Sequence, residues 1–200
     1  MAVLLSGGGT TLQNLIDRIA DGRLKARIGV VIASKADVYG VERAKVAGLP
    51  VRVIVRKEFA SADAFSDRIF AECETAGVDL VCLAGWLQLL QVPAVWDGRV
   101  MNIHPALLPK YGGRGMYGRH VHAAVLAAGD AVSGCTVHFV NNEYDSGPMI
   151  LQKTCPVITG DTPETLAHRV FDVECEAYPE AIAAHAAGRV RLANGQAIWR

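Results

Sequence analysis

The strongest constraint on this chain is a rhythm: through its first half, short apolar runs alternate with stretches patterned for helix. Residues 3–5, 28–33 and 80–84 are continuous apolar runs, and 51–55 and 100–103 are apolar but for Arg52 and Asn102. Unbroken runs of this kind suit strands covered on both faces, as in a parallel sheet. Between them, residues 10–20 place Leu12, Leu15, Ile16 and Ile19 on one helical face. Residues 41–48 read as a helix closed by glycine, and residues 60–76 as a longer one stopped at Gly77. Strands alternating with helices give βαβ units and an α/β fold. The pattern changes after residue 130. Residues 132–140 and 149–157 read as two strands joined by a polar turn, an antiparallel pair added late to a mostly parallel sheet. Residues 162–187 read as a closing helix with Pro163 in its first turn, which Pro179 is expected to kink or split. Residues 189–200 suit a last small hairpin. No repeat, low-complexity linker or clear boundary interrupts residues 1–200, so a single domain is expected.

Composition narrows the function classes. Apolar residues make up 51% of the chain, yet no uninterrupted apolar run reaches membrane-spanning length. The apolar start runs at once into Ser6-Gly7-Gly8-Gly9, without a basic flank or cleavage site, and reads as a buried first strand rather than a signal peptide. Twenty basic residues balance twenty acidic ones, so nucleic acid is not the expected partner, although a few local donors can hold one small anionic substrate. Five cysteines (Cys73, Cys82, Cys135, Cys155 and Cys175) form no C-x-x-C pair, which fits reduced thiols in a cytoplasmic protein and no zinc site.

Gly7, Gly8, Gly9, Thr10 and Thr11 lie between the first strand and the first helix. Glycines admit close backbone approach, and a helix start aims free N–H groups and partial positive charge at an anion. Neither a P-loop nor a full G-x-G-x-x-G is present, since no Gly-Lys-Ser/Thr comes after them and Leu12 stands where the third glycine belongs. The same residues also make a tight turn with Thr10 as helix cap. Their place at the carboxyl end of a strand favours a phosphate site.

Asn102 and His104 end another apolar strand, two positions apart and therefore on one face. An amide there can donate to a developing oxyanion, and an imidazole can polarise the same carbonyl or carry a proton near neutral pH. The plain alternative is a histidine bracing a loop. Pro105 and Pro109 stiffen the segment after the strand, and residues 111–118, rich in glycine and carrying Arg114 just beyond Lys110, read as a surface loop or a mobile lid. Asp145 falls in the turn Asp-Ser-Gly-Pro, where it is either ordinary turn chemistry or a carboxylate for His104. His138 either lines the site or sits exposed on its strand.

Four segments carry a resemblance: S-G-G-G-T-T-L-Q near the start, L-A-G-W-L from Leu83, N-I-H-P-A-L-L-P-K-Y from Asn102, and V-H-F-V with D-S-G-P-M-I-L-Q from Val137 onward. In this order and spacing the chain resembles the glycinamide ribonucleotide formyltransferase family. The resemblance implies a Rossmann-like formyltransferase fold, 10-formyltetrahydrofolate as co-substrate, no metal, and a place in purine biosynthesis. It implies Asn102, His104 and Asp145 as the catalytic trio. Leu83, Trp86, Leu87, Leu90, Val95, Asn141 and Tyr144 match the folate pocket. Gly7 to Thr11, with Pro105, Lys110 and Glu174, match the side that meets the phosphorylated amine. The implied setting is cytoplasmic, with small-molecule partners only, as a monomer or homodimer.

The chain departs from the family at several positions. Thr10-Thr11 stands where Ser-Asn is usual, Ala62 where an arginine is often found, and Phe171 where a polar residue precedes Glu174. Lys110, Arg114 or Arg119 can supply replacement contacts. Rival readings share the fold: a formyltetrahydrofolate hydrolase with an extra N-terminal regulatory domain, a methionyl-tRNA formyltransferase with an RNA-binding C-terminal domain, and a sugar-nucleotide N-formyltransferase. A silent nucleotide-binding module is the reading from another class.

Overall fold

The computed structural model describes residues 1–200 and separates into two compact units, Met1–Met101 and Asn102–Arg200. The first unit holds β1 (Ala2–Leu5), α1 (Thr10–Ala20), β2 (Val30–Ala33), α2 (Tyr39–Val46), β3 (Val51–Val53), α3 (Ala62–Thr75) and β4 (Val81–Leu83). Its strands run in the order β3-β2-β1-β4, all parallel, with Leu4 paired to Ile32 on one side and Leu83 on the other. Every residue of β1, β2 and β4 is buried, as continuous apolar runs require. Leu12 and Leu15 of α1 and Phe65, Ile69 and Phe70 of α3 bury the inward helix faces.

β5 (Val100–His104) spans the boundary between the units. The second unit continues with α4 (Arg119–Ala128), β6 (Val132–Phe139), β7 (Met149–Pro156), α5 (Pro163–Ala186), β8 (Val190–Ala193) and β9 (Gln196–Trp199). β6 and β7 form the expected antiparallel pair, with a register break between Val137 and His138, and β8 and β9 form the expected terminal hairpin. α5 is capped reciprocally: Thr165 N–H donates to Thr162 Oγ1 and Thr162 N–H to Thr165 Oγ1. Just before it, Asp161 holds Arg169 through two hydrogen bonds of 2.6 and 2.9 Å. These anchors carry one helix of 24 residues through Pro179, which therefore does not split it. Pro179 is buried among Ala177, Tyr178, Ala181 and Ile182, so packing offsets the hydrogen bond its ring removes.

Residues 111–118 hold no helix or strand, and α4 begins just beyond them, over residues to which the sequence reading gave no element. The helix is short, flanked by Gly118 and Gly129, and buries only Val121, His122 and Val125, too few positions to print a clear period. All five cysteines are free, four of them buried. Burial pushes the Cys73 and Cys135 thiols up to about 12, far from a nucleophile's range. No helix is long and apolar enough to cross a membrane.

Gly40 in α2 is where packing overrides propensity. A Cβ there would lie 2.7 Å from a Leu5 methyl and 2.9 Å from the Gly7 carbonyl oxygen. Helix propensity alone favours alanine by about 1 kcal/mol. The expected outcome for Gly40→Ala is instead a loss of about 1–3 kcal/mol from overpacking, read from the midpoint of denaturant unfolding. A midpoint that rises would show that β1 and the glycine loop yield at no cost.

Candidate active site

The centre forms inside the second unit, where β5 delivers two groups and the loop after it, β6 and the turn before β7 deliver one each. Alternation along β5 puts Asn102 and His104 on one side, and both reach Asp145. Asn102 Nδ2 lies 3.4 Å from Asp145 Oδ1, and His104 Nδ1 lies 3.5 Å from Asp145 Oδ2. Asp145 takes a left-handed backbone, with φ of 52°, which short polar side chains tolerate. Two residues on, a Cβ at Gly147 would collide with the Phe139 carbonyl, so the turn closes only with glycine there. Gly113 of the glycine-rich loop donates its N–H to Asp145 Oδ2 at 2.9 Å. That segment is thereby tied to the carboxylate.

A second network holds the start of the loop. Thr136 Oγ1 donates to the Ala106 carbonyl at 2.7 Å and accepts from Leu108 N–H at 3.0 Å. Gln152 donates to both Thr136 Oγ1 and the Leu108 carbonyl. The hydroxyl at the centre of this buried clamp is satisfied from three sides, which favours a single loop conformation.

Electrostatics follow from burial. His104 is 4% exposed. Burial lowers its pKa, and His138 adds to this, outweighing Asp145 and the Tyr111 carbonyl, which pull the other way. His104 is therefore neutral near pH 7. Its Nε2 lies 2.8 Å from the Tyr111 carbonyl, which can only accept, so the proton sits on Nε2 and Nδ1 is a bare lone pair facing Asp145. Burial opposes charge on Asp145, the Gly113 N–H it accepts favours the ionised form, and on balance the carboxyl is held below its ordinary range. The result is a neutral base beside an ionised carboxylate. His138, one of whose two readings was an exposed strand residue, is instead 2% exposed and joins the cluster.

The other residues selected from sequence fall elsewhere. Pro105 is half-buried, and Lys110 pairs with Asp130 at 3.1 Å. Neither they nor Glu174 are among the trio's hydrogen-bond partners, which are His138, Tyr111 and Gly113. Glu174 lies on α5, where loss of water around its carboxyl pushes its pKa up to about 8. Arg119 is engaged with Glu164 at 2.6 Å. Asn141 makes a local turn, accepting from Glu143 N–H at 3.0 Å, and Tyr144 is 38% exposed.

In the first unit, Leu83, Trp86 and Leu90 are buried, while Leu87 and Val95 are 40% and 66% exposed. Trp86 stacks on Phe65 at 6.0 Å, and its indole N–H is buried with no partner. In the glycine loop, Ser6 Oγ accepts from Leu87 N–H and Ser34 Oγ. The N-cap of α1 is Gly9, in the left-handed region, with no side-chain cap. Thr10 is the first helical residue, so the alternative of Thr10 as cap does not hold, and no cap side chain covers the helix's leading N–H groups. Arg43, which nothing in the sequence singles out, donates from Nε to the Gly8 carbonyl at 2.9 Å and from Nη1 to Gln13 at 3.0 Å. It comes from α2, 35 positions away, so no local pattern could have marked it.

A strand-end amide and a neutral imidazole, each within 3.5 Å of an ionised carboxylate, are the equipment of an enzyme that transfers an acyl group. The chain belongs to the formyl transferase family, which it matches over residues 1–182. It is 40% identical to the phosphoribosylglycinamide formyltransferase of Haemophilus influenzae, over 98% of this chain and 92% of that one. It is 44% identical to the bovine trifunctional purine biosynthetic protein adenosine-3, over the whole chain but only 20% of that protein's length. The chain thus spans about a fifth of such vertebrate relatives. Among solved structures, glycinamide ribonucleotide transformylase 1 from Symbiobacterium toebii matches with a TM-score of 0.91 at 40% identity, covering 99% of this chain and 92% of that one.

Two opposite pH effects on stability are expected. His104 binds its proton more weakly folded than unfolded, so its contribution is present above 6.5 and is lost as pH falls below that value. Glu174 binds its proton more tightly when folded, so its contribution is full below 4.5 and is lost as pH rises through about 8. Thermal scans across pH should show a shallower acid-side fall in Tm for His104→Gln and a shallower alkaline-side fall for Glu174→Gln. Slopes parallel to wild type would show that these two groups do not set the pH dependence.

Proposed function

We propose that the chain transfers a formyl group from 10-formyltetrahydrofolate to the amine of glycinamide ribonucleotide, a step of purine biosynthesis. The observation that carries this reading is the clustered trio: Asn102 and His104 each within 3.5 Å of the Asp145 carboxylate. The names and near-full coverage of the bacterial relatives support it. In this reading residues 1–200 work as one domain, in the cytoplasm, on small molecules, as a monomer or homodimer.

The amine attacks the formyl carbon, and the carbonyl oxygen becomes an oxyanion. Asn102 donates an N–H to it. His104, neutral with a bare Nδ1, takes the proton the amine gives up. The imidazolium so formed faces the Asp145 carboxylate, which stabilises it, and lends positive charge to the oxyanion. As the carbon–nitrogen bond to the folate breaks, that proton passes to the departing nitrogen. The new amide bond and the proton returned to the folate leave the centre as it began. In the first unit, exposed Leu87 and Val95 with buried Leu83, Trp86 and Leu90 offer apolar surface of the kind a pterin ring requires; in the second, Asn141 and Tyr144 are the residues the family resemblance gives to folate. Gly7 to Thr11, with the uncapped start of α1, suit the phosphate. Ala62 offers no charge there. Arg43 already lies against Gly8, a cation better placed for this role than Lys110 or Arg119, which are paired elsewhere. Glu174, partly protonated near neutral pH, can both donate to and accept from the amide portion of the acceptor.

Release of deformylated folate should require both substrates. His104→Ala and Asp145→Asn should each lower kcat on the order of 10²- to 10⁴-fold with little change in KM. Wild-type turnover without the ribonucleotide would point to a hydrolase, and wild-type rates in both variants would sink the mechanism.

A further inference from the structure

The oxyanion needs an N–H from Asn102, so the facing of that side-chain amide decides whether it can work. His138 on β6 has its Nδ1 2.8 Å from the Phe139 carbonyl oxygen. A carbonyl only accepts, so Nδ1 carries the ring proton and Nε2 is a bare acceptor. Asn102 Nδ2 lies 3.0 Å from that Nε2. An acceptor there tolerates only the N–H end of the amide, so the group is held nitrogen-first. One of the two hydrogens on Nδ2 is taken by His138. The other has only the long 3.4 Å contact with Asp145 Oδ1, weak enough to be given up. The ring is fixed from behind: it is 2% exposed, and it sits just past the register break at Val137. The turn at Gly147 is pressed against the Phe139 carbonyl that holds its proton.

We propose that His138 is a positioning residue: its Nε2 locks the Asn102 amide nitrogen-first, so that one N–H remains for the oxygen of the reacting carbonyl. This rests on the formyl-transfer reading of the centre. His138 does not itself touch the reacting atoms. It acts through Asn102, and its ring must be the tautomer protonated on Nδ1.

The test joins kinetics to a ring spectrum, on the full chain. His138→Leu should lower kcat on the order of 10²-fold, about the cost of one oxyanion donor, while KM stays within a few-fold. His138→Gln, whose side-chain oxygen can reach the place of Nε2, should restore most of the turnover. In an Asn102→Ala background, His138→Leu should cost almost nothing further, because the group it positions is gone. The ¹⁵N spectrum of the histidine rings should show His138 protonated on Nδ1 and bare on Nε2. Equal losses with and without Asn102, failure of glutamine to rescue, or a proton on Nε2 would each overturn the proposal. If His138→Leu fails to fold, the glutamine variant and the spectrum still decide it. Should wild type transfer no formyl group at all, the functional reading fails. The ring tautomer and the thermal coupling between His138 and Asn102 substitutions would then report on the positioning alone.

Discussion

A carboxylate taken out of water must be answered from every side, and Asp145 is answered by the parts that make the site. The Gly113 N–H, the Asn102 amide and two imidazoles surround it. Burial alone would drive the group neutral, and its neighbours reverse that. They come from different elements, so the ionised state exists only when β5, β6, the glycine-rich loop and the β6–β7 turn are all in place. The charge is in this sense a report on the fold of the second unit.

The same reasoning explains why so much polar hardware lies around so few reacting atoms. A neutral imidazole has one donor and one acceptor, and either can be satisfied in the wrong order. Carbonyls settle the question for both histidines: Tyr111 O claims Nε2–H of His104, and Phe139 O claims Nδ1–H of His138. Two rings from adjacent strands thus carry opposite tautomers. The Thr136–Gln152 clamp keeps the backbone that presents the loop from drifting.

How much was legible in the sequence depends on how far each signal reaches along the chain. The buried strands announced themselves as unbroken apolar runs, and the Asn102–His104 spacing fixed a shared face, because strand alternation is local. α5 was bounded within a residue at each end, since Thr162 and Pro163 carry its start in their own chemistry. Pro179 does not split α5, because propensity speaks for an isolated helix, whereas this one is anchored at its start and buried along one face. The plain alternative at the glycine loop, Thr10 as cap, falls away because the left-handed turn at Gly9 moves the cap back one position. The roles of His138 and Arg43 depend on partners 36 and 35 positions away. No short window of sequence contains both halves of such a pair.

The whole hydrogen-bonded centre, from Asn102 to Asp145, falls within one of the two compact units, whereas the glycine loop, Arg43 and the apolar stretch from Leu83 to Val95 fall in the other. On the reading proposed above, the reacting trio belongs to the second half of the sequence and the phosphate contacts at Gly7 to Thr11 to the first. Substitutions at Thr10 or Thr11 would then alter the grip on the phosphate and leave every hydrogen bond of the Asn102–Asp145 cluster in place. Anchor and chemistry in such an enzyme are free to drift at separate rates.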